Sequence, residues 1–203
     1  MKSDQFLTIA KQSSIEIKIK ASRFIGETFL ADSSEEAMEK LNTVKKREYS
    51  ATHHCYAYIV GLGNDTAFKY SDDGEPNGTA GKPIYDQLAG REVTNSLVVV
   101  TRYYGGTKLG TGGLVRAYSE SAQLALDKSG TKEHFLTSKF ETVCEFPYYD
   151  RWNQTIHQLG ATVLDSQFAE KVTLTIEIRQ SMADRLKAAF IELTSGKGVW
   201  NDA

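Results

Sequence analysis

The chain has 203 residues, of which 40% are hydrophobic and 25% charged, and its formal net charge is -2. That length can bury one or two real cores without staples, and the composition excludes disordered, collagen-like and coiled-coil proteins. A near-neutral total also argues against a uniformly basic nucleic-acid coat while leaving room for a local basic patch.

Ile15, Ile17 and Ile19 alternate with Glu16, Lys18 and Lys20, which predicts a half-buried strand, and residues 24–30 predict a second. Ser33 with Glu36 three residues later is a capping-box signature. Ala37, Met38, Leu41 and Val44 then follow at helical spacing, so a first helix is expected to end near Lys46. Residues 53–60 read as a strand with apolar side chains on both faces, able to be covered twice. Residues 72–76 are a turn by composition, and 79–88 a short helix with Pro83 in its first turn. The run 97–101 reads as a central strand, and 111–126 as a long helix with Leu114, Val115, Tyr118, Ala122 and Ala125 inward.

Residues 127–133 lack apolar side chains and contain a glycine, so a linker is expected there between a domain of 1–129 and another of 134–203. In the second domain, strand 140–146 precedes a helix after Pro147. An antiparallel pair at 161–168 and 172–178 follows, with a helix capped by Ser181 or Asp184 and a last strand at Val199 and Trp200. The order β-α-β-β-α-β is that of a ferredoxin-like domain, and the class is α+β. Cys55 and Cys144, far apart in strand-like segments, read as buried apolar side chains in a reducing compartment rather than a disulfide. No amino-terminal stretch reads as a signal peptide and no apolar run approaches the ~20 residues of a bilayer span, so a cytoplasmic protein without a membrane partner is expected.

The functional signal is concentrated in residues 71–118, which hold nine of the sixteen glycines, a density that marks backbone bending sharply or approaching something closely. Asp72, Asp73 and Glu75 occupy one Gly-Pro turn, while Arg102, Lys108 and Arg116 surround the second glycine cluster. Gly110, Thr111, Gly112 and Gly113 stand where a helix begins, so their N–H groups, with Thr111 as cap, can receive a phosphate or carboxylate. The competing reading is close packing of the loop, with Arg102 and Lys108 paired to the acidic turn. The run lacks GxxxxGK[ST] spacing, which disfavours nucleotide hydrolysis. Thr79, Tyr103 and the adjacent His53 and His54 complete the candidate binding set.

Two neighbouring histidines on a strand point to opposite faces, so a zinc site is disfavoured, and a divalent cation at Asp72 and Asp73 is a minor alternative to an expectation of no cofactor. No nucleophile stands out, and no catalytic residue is assigned. Tyr103 and Tyr104 can stack on bases or pack under a loop.

Ser22-Arg23-Phe24, Thr52-His53-His54-Cys55, SDDGEPNGTAGKP at 71–83 and RYYGGTKLGTGGLVRAY at 102–118 closely resemble the IMPACT family, in its bacterial YigZ-like branch. The resemblance implies a first domain similar to the second domain of a small-subunit ribosomal protein, a mixed sheet with helices on one side. It also implies a second domain similar to the last domain of elongation factor G. Eukaryotic relatives regulate translation by competing for an activator of a stress kinase, and the extra amino-terminal domain they carry is not expected here. The implied role is therefore translation-linked binding, with RNA or a ribosome-associated factor as the expected partner through the loop 102–116 and the turn 72–75. A protein-interaction module and an enzyme acting on a small phosphorylated or carboxylated substrate, with a small anion as ligand, are the alternatives.

Overall fold

A five-stranded sheet in the order β2-β3-β6-β4-β5 organises the first half of the structure, a computed structural model that describes residues 4–202. Its strands are β2 Ser13–Ile19, β3 Ser22–Leu30, β4 His53–Val60, β5 Ala67–Ser71 and β6 Ser96–Tyr103, and every neighbouring pair is antiparallel. Two short strands that the sequence did not signal, β1 Gln5–Ile9 and β7 Thr131–Phe135, form a separate ribbon. The central strand β6 is buried along seven of its eight residues, as its aliphatic run predicts.

Because that run is apolar on both sides, both faces of the sheet must be covered. Helices α2 Gly81–Ala89 and α3 Thr111–Ser129 cover the face bearing Phe24, Cys55, Ala57, Val98 and Val100. Helix α1 Ser34–Arg47 covers the other with Ala37, Leu41 and Val44 against Tyr56, Tyr58, Leu97 and Val99. The implied mixed sheet with helices on one side is thus corrected in two respects: the sheet is antiparallel throughout and is covered on both faces. The α+β class stands. Ser33 caps α1 by accepting from the Glu36 N–H at 3.1 Å, while Glu36 returns to the N–H of Asp32 at 2.7 Å.

The expected linker at 127–133 is also corrected. Its first three residues are the polar end of α3, held by Asp127 to Arg91 at 2.7 Å and by the Lys128 ammonium to the Ser14 carbonyl at 2.9 Å. Gly130 then ends the helix, and Thr131 opens β7.

The structure divides into two compact units, one of Phe6–His134 and one of residues 135–202 together with Asp4 and Gln5. In the second, β8 Thr137–Cys144, α4 Phe146–Gln158, β9 Thr162–Phe168, β10 Val172–Arg179, α5 Ala183–Thr194 and β11 Val199–Asp202 form an antiparallel sheet ordered β11-β8-β10-β9 under two helices. This is the ferredoxin-like arrangement. Trp152, Ile156, Leu174, Ile176, Leu186 and Phe190 fill its core. Neither Ser181 nor Asp184 caps α5, whose N-cap is Met182 with no side-chain bond. Ser181 is engaged elsewhere: its hydroxyl and N–H donate to the carboxylate of Asp4 at 2.6 and 3.1 Å, and Arg179 donates to the same group at 3.2 Å. The Ser181 hydroxyl foremost, with the Ser181 N–H and Arg179, holds the Asp4 carboxyl down to about 2 against the opposing cost of burial.

Candidate functional site

Strand register decides which side chains meet. Arg102 of β6 lies opposite Phe24 of β3 and His53 of β4, so the three form one row on the face covered by α2 and α3. Tyr103 and His54, one residue along, necessarily point to the other face. A cleft of about 490 Å3 opens where the row meets the turn at Glu75 and Pro76 and the segment 104–111 that leads into α3.

At the base of the cleft, Arg102 donates through Nη1 to Oε1 of Glu75 at 2.5 Å and through Nη2 to the Ser22 hydroxyl at 3.1 Å. Both side chains of the ion pair are only 5% exposed. The guanidinium lies 5.3 Å from the ring centroids of both Phe24 and Tyr104, and its Nε is buried with no protein acceptor. The Tyr118 phenol on α3 donates to the same Glu75 oxygen at 2.7 Å, and burial holds it protonated far above the usual tyrosine range. His53 places Nδ1 2.8 Å from the Asp73 carbonyl. A carbonyl only accepts, so Nδ1 carries a proton, and Nε2, 3.9 Å from Glu75 Oε1, is an acceptor whenever the ring is neutral.

The rim is built differently. Gly110, the N-cap of α3, sits at φ 74° and ψ 165°, backbone that is essentially reserved for glycine. No side chain caps the helix and no acid occupies its first turn, so the free N–H groups of a 19-residue helix begin at Gly110 and Thr111, both of which line the cleft with Lys108. Thr111 is the first helical residue rather than the cap, a correction to the expectation. Tyr104 stands 45% exposed at the edge, its N–H tied to the Thr52 hydroxyl at 3.0 Å. Its position is fixed by Gly105, where a Cβ would lie 1.7 Å from the Ala21 carbonyl oxygen. Pro76, Leu109 and Leu114 supply apolar wall.

Of the expected site residues, His53, Glu75, Arg102, Lys108, Gly110 and Thr111 meet in this cleft. Gly112 and Gly113 lie in the first turn of α3, and Arg116 is exposed one turn further on, outside the cleft lining. The two aspartates of the turn do not point there. Asp72 accepts from the N–H groups of Ala80, Gly81 and Gly78 at 2.9, 2.8 and 2.9 Å, which caps α2 from a distance because its own N-cap, Ala80, has no oxygen to offer. Asp73, at φ 44°, accepts from the His54 N–H at 2.6 Å and pairs with Lys45 at 2.9 Å. The Thr79 hydroxyl closes the turn onto the Pro76 carbonyl at 2.7 Å. Tyr103 lies under Arg23, 4.2 Å from ring centroid to guanidinium, and donates to Glu48 at 2.8 Å. His54 is buried, which lowers its basicity, and its Nε2 is 3.2 Å from the Glu48 carbonyl. Among the described residues no three metal-ligating side chains converge.

Tyr118, Ser22 and Leu109 are site residues that the sequence did not announce. Tyr118 reads correctly as an inward helix position, and the requirement of a buried phenol for an acceptor is the signal that leads to Glu75. Cys55, beneath the turn, donates to the Asp72 carbonyl at 3.0 Å, and burial pushes its thiol up, so it is no thiolate nucleophile. The arrangement offers anion-binding N–H groups and a lysine at the rim, a guanidinium and two acceptors at the base, and one open aromatic ring.

Comparison with known proteins places this site in context. The Impact N-terminal domain matches residues 20–126, and a domain of unknown function (DUF1949) matches 142–197. The chain is 33% identical to the IMPACT family member YvyE of Bacillus subtilis over 95% of its own length and 88% of that protein's. It is also 33% identical to the IMPACT family member YigZ of Escherichia coli, over 88% of each. A solved structure titled "Crystal structure of an hypothetical protein" superposes with a TM-score of 0.71 at 31% identity, covering 98% of both chains. By the domain match and by these near full-length relatives, the chain belongs to the IMPACT family.

Proposed function

We propose that this chain is a translation-linked regulatory protein that works by binding, and that the cleft of its first domain contacts RNA. Family membership supports the translation link. The observation that carries the RNA reading is the uncapped start of α3 opening beside Lys108, with Tyr104 exposed at the same edge. Phosphate is drawn to such a helix end, and a base stacks on such a ring. In the second domain the start of α4 also has no side-chain cap and Phe146 is exposed there, but its N-cap residue is the acidic Glu145. The sheet face opposite its helices carries Lys139, Glu141, Thr173, Thr175, Glu177 and Arg179, charges of both signs with no ring among them.

The test is fluorescence anisotropy of short single-stranded RNA against the full chain across a salt series. Affinity falls as salt rises, and Lys108→Glu both weakens binding and flattens the slope, because each phosphate contact releases counterions. Salt-independent binding, or an unchanged slope in the folded variant, removes the cleft from the reading. The His53 acceptor beside Glu75 favours a second reading, an enzyme acting on a small phosphorylated or carboxylated substrate. Turnover of such a substrate, lost in His53→Ala, would replace the binding role with that one.

A further inference from the structure

The cleft has the dimensions and chemistry of a pocket for one nucleotide rather than a track for a strand, and the inference rests on the RNA reading above. We propose that it is an end-recognition site: a terminal phosphate sits at the start of α3 and the attached nucleoside lies along Tyr104, so that the ligand is a nucleotide phosphomonoester.

Volume supports this. A cleft of about 490 Å3 falls within the range of small-ligand sites and holds one nucleotide, not several. Charge supports it too. Arg102 is already neutralised by Glu75, which leaves Lys108 and the positive end of α3 to face the ligand. A monoester carries about 1.5 to 2 negative charges at neutral pH and keeps three oxygens for the converging N–H groups. An internal diester carries one charge and must send the strand out in two directions, whereas the base of the cleft is closed by the buried Arg102, Glu75 and Tyr118 cluster.

The base of the cleft has its own demand. Arg102 Nε is a buried donor without a protein acceptor on a side chain only 5% exposed, and His53, its cross-strand neighbour in the same row, offers Nε2 as an acceptor whenever its ring is neutral. A ligand that offers an acceptor to the first and a donor to the second completes both. A ribose hydroxyl or a base edge does this, while inorganic phosphate has no such second arm. Tyr104 receives the base on the side away from the Arg102 guanidinium.

The experiment compares four ligands on the full chain by calorimetry: a short RNA with a 5′-phosphate, the same RNA with a 3′-phosphate, the same RNA with hydroxyls at both ends, and free nucleoside monophosphates. Lys108→Glu and Tyr104→Ala, both at exposed positions, serve as variants. One end-phosphorylated RNA is expected to bind at least about tenfold more tightly than the hydroxyl form, with the preference lost in Lys108→Glu. Tyr104→Ala is expected to weaken binding by roughly five- to a hundredfold. Equal, salt-sensitive binding of all three RNAs overturns end recognition and leaves the RNA reading standing. Binding of free monophosphates with no RNA bound upholds the pocket and defeats the RNA reading. Silence from all four ligands, or stronger binding of inorganic phosphate, titrated as a control, than of any monophosphate, overturns the proposal.

Discussion

The two cores of this chain bury polarity in opposite ways. In the second domain the contact at the centre of the core is a neutral one, the Trp152 indole N–H donating to the Thr142 hydroxyl at 3.0 Å amid Ile156, Leu174 and Phe190, and the buried carboxylate of Asp4 pairs with an arginine that is 43% exposed. In the first, an arginine and a glutamate lie 5% exposed under the cleft, joined by a phenol and faced by a histidine. A fully buried ion pair gains little net stability over an apolar pair of the same volume. The buried carboxylates of Glu27 and Asp4 pair with arginines that are 49% and 43% exposed, whereas both members of the Arg102–Glu75 pair are buried, which supports the proposal of a site there. The difference teaches where to look for function: at the polarity the core would fold as well without.

The comparison breaks first at the ion pair. Arg102→Met leaves a buried uncompensated carboxylate and is expected to cost about 3–5 kcal/mol in urea unfolding, whereas the double variant Arg102→Met with Glu75→Leu recovers most of that loss. A single variant as stable as the parent would show the pair to be screened by water. Phe190→Ala, in the neutral core, is expected to cost about 3–5 kcal/mol as well, but with no rescue from a second substitution, because its loss is volume rather than charge. Gly110→Ala is expected to cost about 1–3 kcal/mol through its backbone conformation, more than Thr111→Ala, whose side chain caps nothing; thermal unfolding of the pair ranks them.

The mildest contrast is one of pH. The Asp4 carboxyl falls to about 2 in the folded chain from 3.8, so its contribution is fully present above pH 3.8 and is lost as pH falls through about 2. Acid titration of stability for Asp4→Asn beside the parent checks this. The two curves differ at pH 7 and converge near pH 2, and parallel curves would remove Asp4 from the account.

What the sequence made legible follows from how local each feature is. The central strand, the long helix and the ferredoxin-like order depend on runs of residues and are readable as such. The double cover of the sheet was foreshadowed by the apolar faces of 53–60 rather than by the resemblance, since burial demand is written in the residues themselves, whereas its antiparallel pairing was not foreshadowed. The apparent linker misled because a polar helix end and a polar linker share a composition, and only the partners Arg91 and Ser14 tell them apart. At the site, residue type identified Glu75, Arg102 and Lys108, but not the direction of Asp72 and Asp73. The Asp72 carboxylate is claimed by backbone N–H groups up to nine residues ahead and that of Asp73 by one nineteen residues behind, a geometry that no periodicity encodes.

The clasp of Asp4 carries a consequence for how the protein is made. Its partner Ser181 lies 177 residues later in the chain. At roughly 5–20 residues per second, synthesis separates the two by on the order of 10–35 s. For that interval the first domain can complete its sheet while Asp4 waits unpaired, so a nascent chain stopped short of Ser181 presents a free carboxylate at Asp4 where the finished protein has a bonded one.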